Sequence, residues 1–588
     1  MAEIIADNIY LILLLPLWVF LIVMLGRFFS VYVNKKVIHS VSLMVSALGA
    51  FLSIYLYNAF PIDKIYETTY PFIKINDFTI QCGIYIDKFV LIFLSVLFSV
   101  SFFVQLFSIS YMKSDNKQYR FFALMNLFNF SLTGLFLSPN LYQTYVFWEL
   151  ASLVSYLLIG FEYSKESKSL ASKKVFIINR IGDTAFLSAL IMSSYLVYEY
   201  APAKSLTSLP FMDLNIISIL INAYASTPLF ILICSLFIIA AVVKSAQFPF
   251  YTWLQDAMEA KLPVSALLHS ATLVALGVYL LIRLTPFFTL EFNCLNILTY
   301  VGIITAIICS LSACAQINPK KALAYSTSAQ LGLMFFAIGV LNIKAALMLF
   351  CAHAVIKSML FITLPNDGEK WSYTKFVLFL IGGLSLSGIL LSGMISKEIL
   401  VYSLGHNETI LMAVLSFLTA FYIIRIALVT ANNNKLEKIK LNRYELVSAI
   451  GLFILNVLLY LYIYKFGNYK IAEPFWAAIT ACVIVYILHI KKAFYKIPLL
   501  YTLCYNGFYL DKFYMTAVLN TYNKFTQIMY WIDLNLFANY KPIVMLSKLL
   551  VKCTCFVETD VMNRTVSLVA EISKKISSGK NKSKNSEG

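Results

Sequence analysis

Along the chain, apolar stretches of roughly 18–25 residues alternate with short polar loops, the spacing that helices crossing ~30 Å of hydrocarbon require. About fifteen such cores are legible, at 11–25, 37–57, 89–109, 121–137, 142–160, 175–196, 229–243, 264–282, 297–314, 322–341, 345–364, 376–395, 410–429, 446–463 and 474–490. The pattern predicts an all-α polytopic membrane protein. After the last core the character changes. Residues 505–575 mix apolar and polar positions at helical spacing and contain Pro542, as expected of a helix lying along a surface rather than spanning. The tail at 576–588 is lysine- and serine-rich and is expected to be disordered.

Composition agrees with this pattern. Of 588 residues, 60% are hydrophobic and only 13% charged, more apolar surface than a soluble chain could bury. The net charge of +17 does not call for nucleic acid. Its basic residues gather in alternate short loops: Arg27, Lys35 and Lys36; Lys113, Lys117 and Arg120; Lys165, Lys168, Lys173 and Lys174; Lys320 and Lys321; Lys435, Lys438, Lys440 and Arg443. These loops share one parity, which predicts an outside N-terminus and an inside C-terminus next to anionic lipid. Glu3 and Asp7 near the start, without a basic side chain, give no signal-peptide pattern. The ten cysteines are scattered, with no C-x-x-C, and Cys553 and Cys555 form the closest pair. With no glycine-rich dinucleotide fingerprint and no P-loop either, the chain is expected to carry no nucleotide, redox cofactor or metal of its own.

Ionisable groups inside the apolar cores are the candidate chemistry, because a charge at mid-membrane costs several kcal/mol and marks function by default. Glu149 lies mid-span. Lys244 closes the core 229–243. His353 and Lys357 stand four residues apart, on one helical face. Lys397 and Glu398 follow the core 376–395. Lys244 and Lys397 are near predicted span ends, where a lysine can snorkel to the interface. Asp256 and Glu259 fall in a connecting loop, where capping is the simpler role. Burial disfavours a lysine's charged form and a nearby carboxylate favours it, so a pair of changing separation can take up and release a proton. Histidine suits a relay.

At these residues the chain resembles the antiporter-like subunit L of proton-pumping NADH:quinone oxidoreductase, complex I, called subunit 5 in mitochondria. The resemblance rests on "FWELASLVSYLLIGF" (147–161), "ASKKVFIINRIGDTAFLSAL" (171–190) with its N-R-x-G-D signature, "KSAQFPFYTWLQDAMEAKLPVSALLHSATLVALGVYL" from Lys244, "KKALAYSTSAQLGLMFFAIGV" (320–340) and "YNGFYLDKFY" (505–514). It covers most of residues 60–570.

The resemblance implies two inverted five-helix repeats with broken helices, at 121–282 and 297–429. Around them it implies N-terminal helices within 1–115, C-terminal helices within 440–495 and a lateral helix within 505–575 that contacts neighbouring membrane-arm subunits. By match to the family, Glu149 and Lys244 form the carboxylate–lysine pair of the first repeat, and Asp183 is the acid of the sixth helix. His269, His353 and Lys357 form the central relay. Lys397, with Glu398 beside it, exchanges protons with the outer side. NADH, FMN, iron–sulfur clusters and quinone are expected on partner subunits, and the location expected is a bacterial plasma membrane in preference to a mitochondrial one.

The sequence departs from the family pattern chiefly in its second half. Leu349 replaces a histidine, "PNDGEK" (365–370) is a short loop, Leu390 and Leu391 replace the prolines of the twelfth helix, and Glu398 stands alone where an acidic pair is usual. "WLQDAMEAKLP" (253–263) also lacks two prolines, and no apolar anchor follows the lateral segment. Two other readings therefore stand beside a proton-moving complex I subunit: a subunit of a Mrp-type cation/proton antiporter, and a diverged paralogue that fills the membrane arm without pumping.

Overall fold

The computed structural model describes residues 9–29, 34–61, 65–75, 78–200, 227–365, 369–434, 436–439, 441–465, 473–490 and 498–534, with short pieces at 547–549, 551–552, 567–568 and 570–571. The chain divides into two units, residues 1–510 and 511–588.

The first unit opens with α1 (Tyr10–Phe28) and α2 (Lys35–Ala59), followed by an antiparallel hairpin of β1 (Tyr66–Ile75) and β2 (Phe78–Ile86). Next come α3 (Lys88–Tyr111), α4 (Gln118–Phe136), α5 (Leu141–Ile159), α6 (Glu166–Tyr200) and α7 (Pro228–Lys244). Several helices start where a short polar side chain can cap free backbone N–H groups. Asp87 accepts from Val90 N at 2.7 Å, Asn140 from Gln143 N at 2.9 Å and Asn318 from Lys320 N at 2.9 Å. Asp87 also takes Arg283 through two bonds, at 2.6 and 3.2 Å, with the guanidinium stacked among Tyr85, Phe89 and Tyr279. A two-pronged, cation–π-backed pair of this kind fixes the start of α3 against the span ending at Arg283.

Helix α7 stops at Lys244 in a defined way. Gln247 N bonds the Val242 carbonyl at 2.8 Å and Ala246 N bonds that of Val243 at 3.2 Å, with Ala246 at φ 49°. This is a Schellman ending with alanine in the left-handed position that glycine normally fills, a conformation that costs about 1–2 kcal/mol. The chain restarts as the short α8 (Thr252–Asp256). The next span is interrupted too, as α9 (Leu262–Leu268) and α10 (Leu276–Arg283), and Ser245 Oγ ties the two breaks together by donating to the Val274 carbonyl at 2.8 Å.

The second half contains α11 (Phe292–Ala315), α12 (Pro319–Gly339), α13 (Ile343–Thr363), the broken span α14 (Tyr373–Ser387) and α15 (Leu391–Tyr402), and α16 (His406–Asn434). The α14–α15 break survives the loss of prolines. Gly388 takes φ 93°, and a Cβ on Gly393 would sit 1.8 Å from the Ser385 carbonyl oxygen, so only glycine lets the two halves pass so closely. The unit closes with α17 (Arg443–Tyr464), α18 (Glu473–Ile490) and α19 (Pro498–Tyr505).

Each of the apolar cores read from the sequence falls on helix. By length and composition, however, ten helices among the described residues can cross a membrane, and three more are apolar but shorter. Length and composition therefore support ten spans rather than fifteen. Helices α4 and α5 fall short because buried Asn126, Asn129, Gln143 and Thr144 dilute their apolar character. Helix α12 and the α9–α10 span are buried nearly all round, so they form the centre.

The loops predicted to share one side do meet. Lys261 reaches Asp115 at 3.1 Å and Glu162 at 2.7 Å, joining three loops at one end, and Lys168 bonds Glu162 at 2.9 Å. The Lys261 ammonium holds the Glu162 carboxyl well below the usual carboxylate range. Asp256 pairs with Lys174 at 2.6 Å, the loop role read from the sequence.

In the second unit, α20 (Leu510–Ile532) repeats apolar Phe525, Ile528 and Ile532 at helical spacing. The expected lateral helix over 505–575 is thus helical to Ile532, and most of its remainder, with the tail 576–588, lies outside the described residues.

Candidate functional site: a buried charge network and two further lysines

The first cluster is assembled by α5, α6 and α7. On α5, Trp148 and Ser152 are four residues apart and point to the interior, while Tyr145 and Glu149 line the adjoining, partly exposed edge. On α6, Arg180 and Asp183 stand three residues apart on one face. Lys244 enters from the end of α7 with 1% of its side chain exposed.

Its ammonium bonds Asp183 Oδ1 at 3.2 Å and the Ser152 hydroxyl, and lies 4.8 Å from the Trp148 ring centre. Trp148 Nε1 donates to the same Asp183 oxygen at 2.6 Å. The other oxygen, Oδ2, faces Arg180 Nη2 at 2.6 Å. Arg180 in turn pairs with Glu149, which also accepts from the Tyr145 hydroxyl at 2.8 Å. The guanidinium rests on Phe176, 4.4 Å from its ring centre. Glu149, Arg180, Asp183 and Lys244 therefore form one unbroken run of alternating charge, from a partly exposed edge to the interior.

This corrects the pairing expected from the sequence. Glu149 is not the direct partner of Lys244. Its position one residue past Trp148 turns it about 100° away from the face that meets α7, onto the side where Arg180 lies. Asp183, expected in a supporting role, holds the lysine. Arg180, Trp148 and Ser152 were missed. A usable signal was present in Phe176, Arg180 and Asp183, which recur at i, i+4 and i+7.

The second cluster lies between α9 and α13. His269 sits at the end of α9, where the span is interrupted. Both its ring nitrogens are buried with no protein hydrogen-bond partner among the described residues. Buried polar atoms are normally bonded, so ordered water is the partner this chemistry calls for. Gln247 Oε1 and Ser265 Oγ are in the same condition. The His269 carbonyl accepts from His353 Nε2 at 3.2 Å, which links the two histidines through backbone. One turn along α13, Lys357 donates to the Leu323 carbonyl at 3.0 Å and to Ser326 Oγ at 2.7 Å.

The third cluster surrounds the α14–α15 break. Lys397 Nζ donates to the Ser387 carbonyl at 3.1 Å and approaches Ser416 Oγ at 3.4 Å. Its stem runs under Gly388, where a Cβ would lie 3.1 Å from Cδ. Glu398 is buried beside it. Lys244 is held by a carboxylate, whereas Lys357 and Lys397 are held by hydroxyl and carbonyl oxygens. The structure thus brings Glu149, Asp183 and Lys244 into one contact network and His269 against His353 and Lys357. No direct bond joins Lys244 to His269.

Residues 138–422 match the family described as NADH:quinone oxidoreductase/Mrp antiporter, transmembrane region. Residues 72–122 match the N-terminus of complex I chain 5. The chain is 31% identical over 556 residues to the chloroplastic NAD(P)H-quinone oxidoreductase subunit 5 of Chara vulgaris, across 82% of this chain and 83% of that protein. The chain belongs to the subunit 5 family of complex I. The corresponding protein of Zygnema circumcarinatum is 33% identical over 432 residues, 66% of this chain; the match spans 60% of that protein, less than two thirds of the relative's length. In fold, this subunit 5 homologue is similar to a chain of the Mrp complex from Dietzia sp. DQ12-45-1b, with TM-score 0.72 and 21% identity over 94% of this chain and 63% of that one. It is also similar to a chain of the membrane-bound sulfane sulfur reductase, an archaeal respiratory membrane complex. There the TM-score is 0.66 and the identity 19%, over 82% of this chain and 98% of that one.

Proposed function

We propose that this chain is a proton-translocating membrane subunit of a complex I-type NADH:quinone oxidoreductase, driven by quinone reduction on other subunits. The observation that carries the reading is the buried ion network ending at Lys244, inside a chain of the subunit 5 family. Asp183 is shared between two cations, Arg180 on one oxygen and Lys244 on the other. Withdrawal of Arg180 toward Glu149 leaves the whole carboxylate charge to Lys244 and favours its ammonium. Return of Arg180 weakens that hold and frees a proton to move on. His269, His353 and Lys357 continue the path, and Lys397 exchanges with the outer side. Flavin, iron–sulfur clusters, NADH and quinone belong to partner subunits, with the lateral helix contacting membrane-arm neighbours. We place the complex in a bacterial plasma membrane, its basic loops facing the cytoplasm.

A Mrp-type antiporter subunit is the second reading, favoured by the shared family description over residues 138–422. Affinity purification of the tagged full chain from its native membrane separates the two. Recovery of flavin- and iron–sulfur-bearing subunits is the expected result. Recovery of a purely membrane-embedded set, with cation/proton exchange in vesicles, would overturn the assignment to complex I.

A further inference from the structure

The route from Lys357 to Lys397 crosses the part of the chain that departs most from its family. Lys357 is on α13 and Lys397 on α15, and position 349, one turn before His353, is a buried leucine. A third helix faces both lysines. On α16, Ser416, Thr419 and Tyr422 recur at i, i+3 and i+6, so they stack along one face, and all three are fully or almost fully buried. The two ends of this row meet the two lysines. The Tyr422 hydroxyl is 2.6 Å from Ser326 Oγ, the same oxygen that accepts from Lys357 Nζ at 2.7 Å. Ser416 Oγ is 3.4 Å from Lys397 Nζ. Between them, Thr419 is hydrogen-bonded to the Tyr422 phenol, as is Gln330 of α12. From Thr419 to Ser416 the rise along the helix is about 4.5 Å, a step that one hydrogen-bonded water spans.

We propose that this hydroxyl face of α16 is the proton path between Lys357 and Lys397, with Tyr422 as its entry. The proposal rests on the relay reading above. A proton leaves Lys357 Nζ for Ser326 Oγ, the Ser326 proton passes to the Tyr422 oxygen, and the phenolic proton passes on towards Thr419. Each hydroxyl gains one proton and gives one up, so Lys357 ends neutral, Lys397 ends protonated, and rotation of the hydroxyls restores the starting order. The same row also explains how polar side chains are tolerated on an otherwise apolar span: each has a partner within it or on α12. A buried polar network of this kind is stable only while every member is satisfied.

The test uses the assembled complex in membrane vesicles and compares Tyr422→Phe, Thr419→Val and Thr419→Ser with Lys357→Met. Protons moved per electron and the slowing in deuterated water are read together, with quinone reduction monitoring assembly. Tyr422→Phe and Thr419→Val are expected to slow proton transfer about tenfold or more, while Thr419→Ser, which keeps a hydroxyl, stays near wild type. If Lys357→Met stops translocation while Tyr422→Phe and Thr419→Val leave it intact, the α16 path is wrong and the lysine relay stands. If Lys357→Met itself is without effect, the relay reading fails, and this inference with it. Should Tyr422→Phe fail to assemble, the Thr419 pair still decides: equal losses in Val and Ser would overturn the path.

Discussion

Asp183→Asn is expected to impair proton translocation more severely than Glu149→Gln. Asp183 is the group that touches Lys244, at 3.2 Å, and it is 2% exposed, so water cannot substitute for the lost charge. A hydrogen bond to a charged group contributes about 1.5–3 kcal/mol, which corresponds to a fall of roughly tenfold to a hundredfold in the coupled proton-transfer rate. The substitution would also leave Arg180 with Glu149 as its one anionic partner in the network, fixing the guanidinium at the outer end. Glu149→Gln removes a charge whose side chain is 26% exposed, and Asp183 keeps both of its cations. Its effect is expected to be several-fold smaller on the same scale. The measurement is the proton-to-electron ratio in vesicles, with quinone reductase activity as the check on assembly. Equal losses in the two variants would mean that Glu149 acts directly on Lys244, the pairing first read from the sequence.

Gly393→Ala is expected to damage the protein through packing rather than charge. The added Cβ would lie 1.8 Å from the Ser385 carbonyl oxygen, a backbone atom that cannot rotate away. Overpacking of a dense interior costs about 1–3 kcal/mol and can exceed that when the obstacle is backbone. The halves α14 and α15 would have to separate. That would strain the bonds by which Asn456 of α17 joins them, to Ser392 and, at 3.3 Å, to Ser385. Lys397 lies in the same break, so translocation should fall along with stability. Thermal unfolding of the detergent-solubilised complex reads the first effect, and an unfolding temperature equal to wild type would show that the break is not closely packed at Gly393.

Much of the fold was legible because it follows from local rules. Apolar runs of bilayer length predict helices, and every run read from the sequence falls on one. The lysine at the end of α7 was visible as a charge at an apolar border. The partners of that lysine were not visible, because they depend on how α5, α6 and α7 rotate against each other. Spacing within one helix places Trp148 with Ser152 and Tyr145 with Glu149, but it does not say which pair faces Lys244. Arg180 was passed over for the same reason, as part of a recognition motif rather than as a charge needing a partner. The twelfth-helix break shows the opposite case. Loss of the prolines to Leu390 and Leu391 suggested a weakened bend, yet Gly388 and Gly393 supply the conformation and the clearance that prolines would otherwise have enforced. The short, polar α4 and α5 illustrate a third limit, since hydropathy counts a buried asparagine as a cost whether or not neighbouring helices satisfy it.

The central claim, that this chain moves protons through Lys244, is tested most directly by Lys244→Met in the assembled complex. Methionine keeps the length and most of the volume of the lysine stem and removes its proton-carrying group. The measurement is protons translocated per electron passed to quinone, in sealed vesicles, beside wild type. A marked fall in that ratio, with the subunits still assembled, is the predicted result. An unchanged ratio would contradict the account.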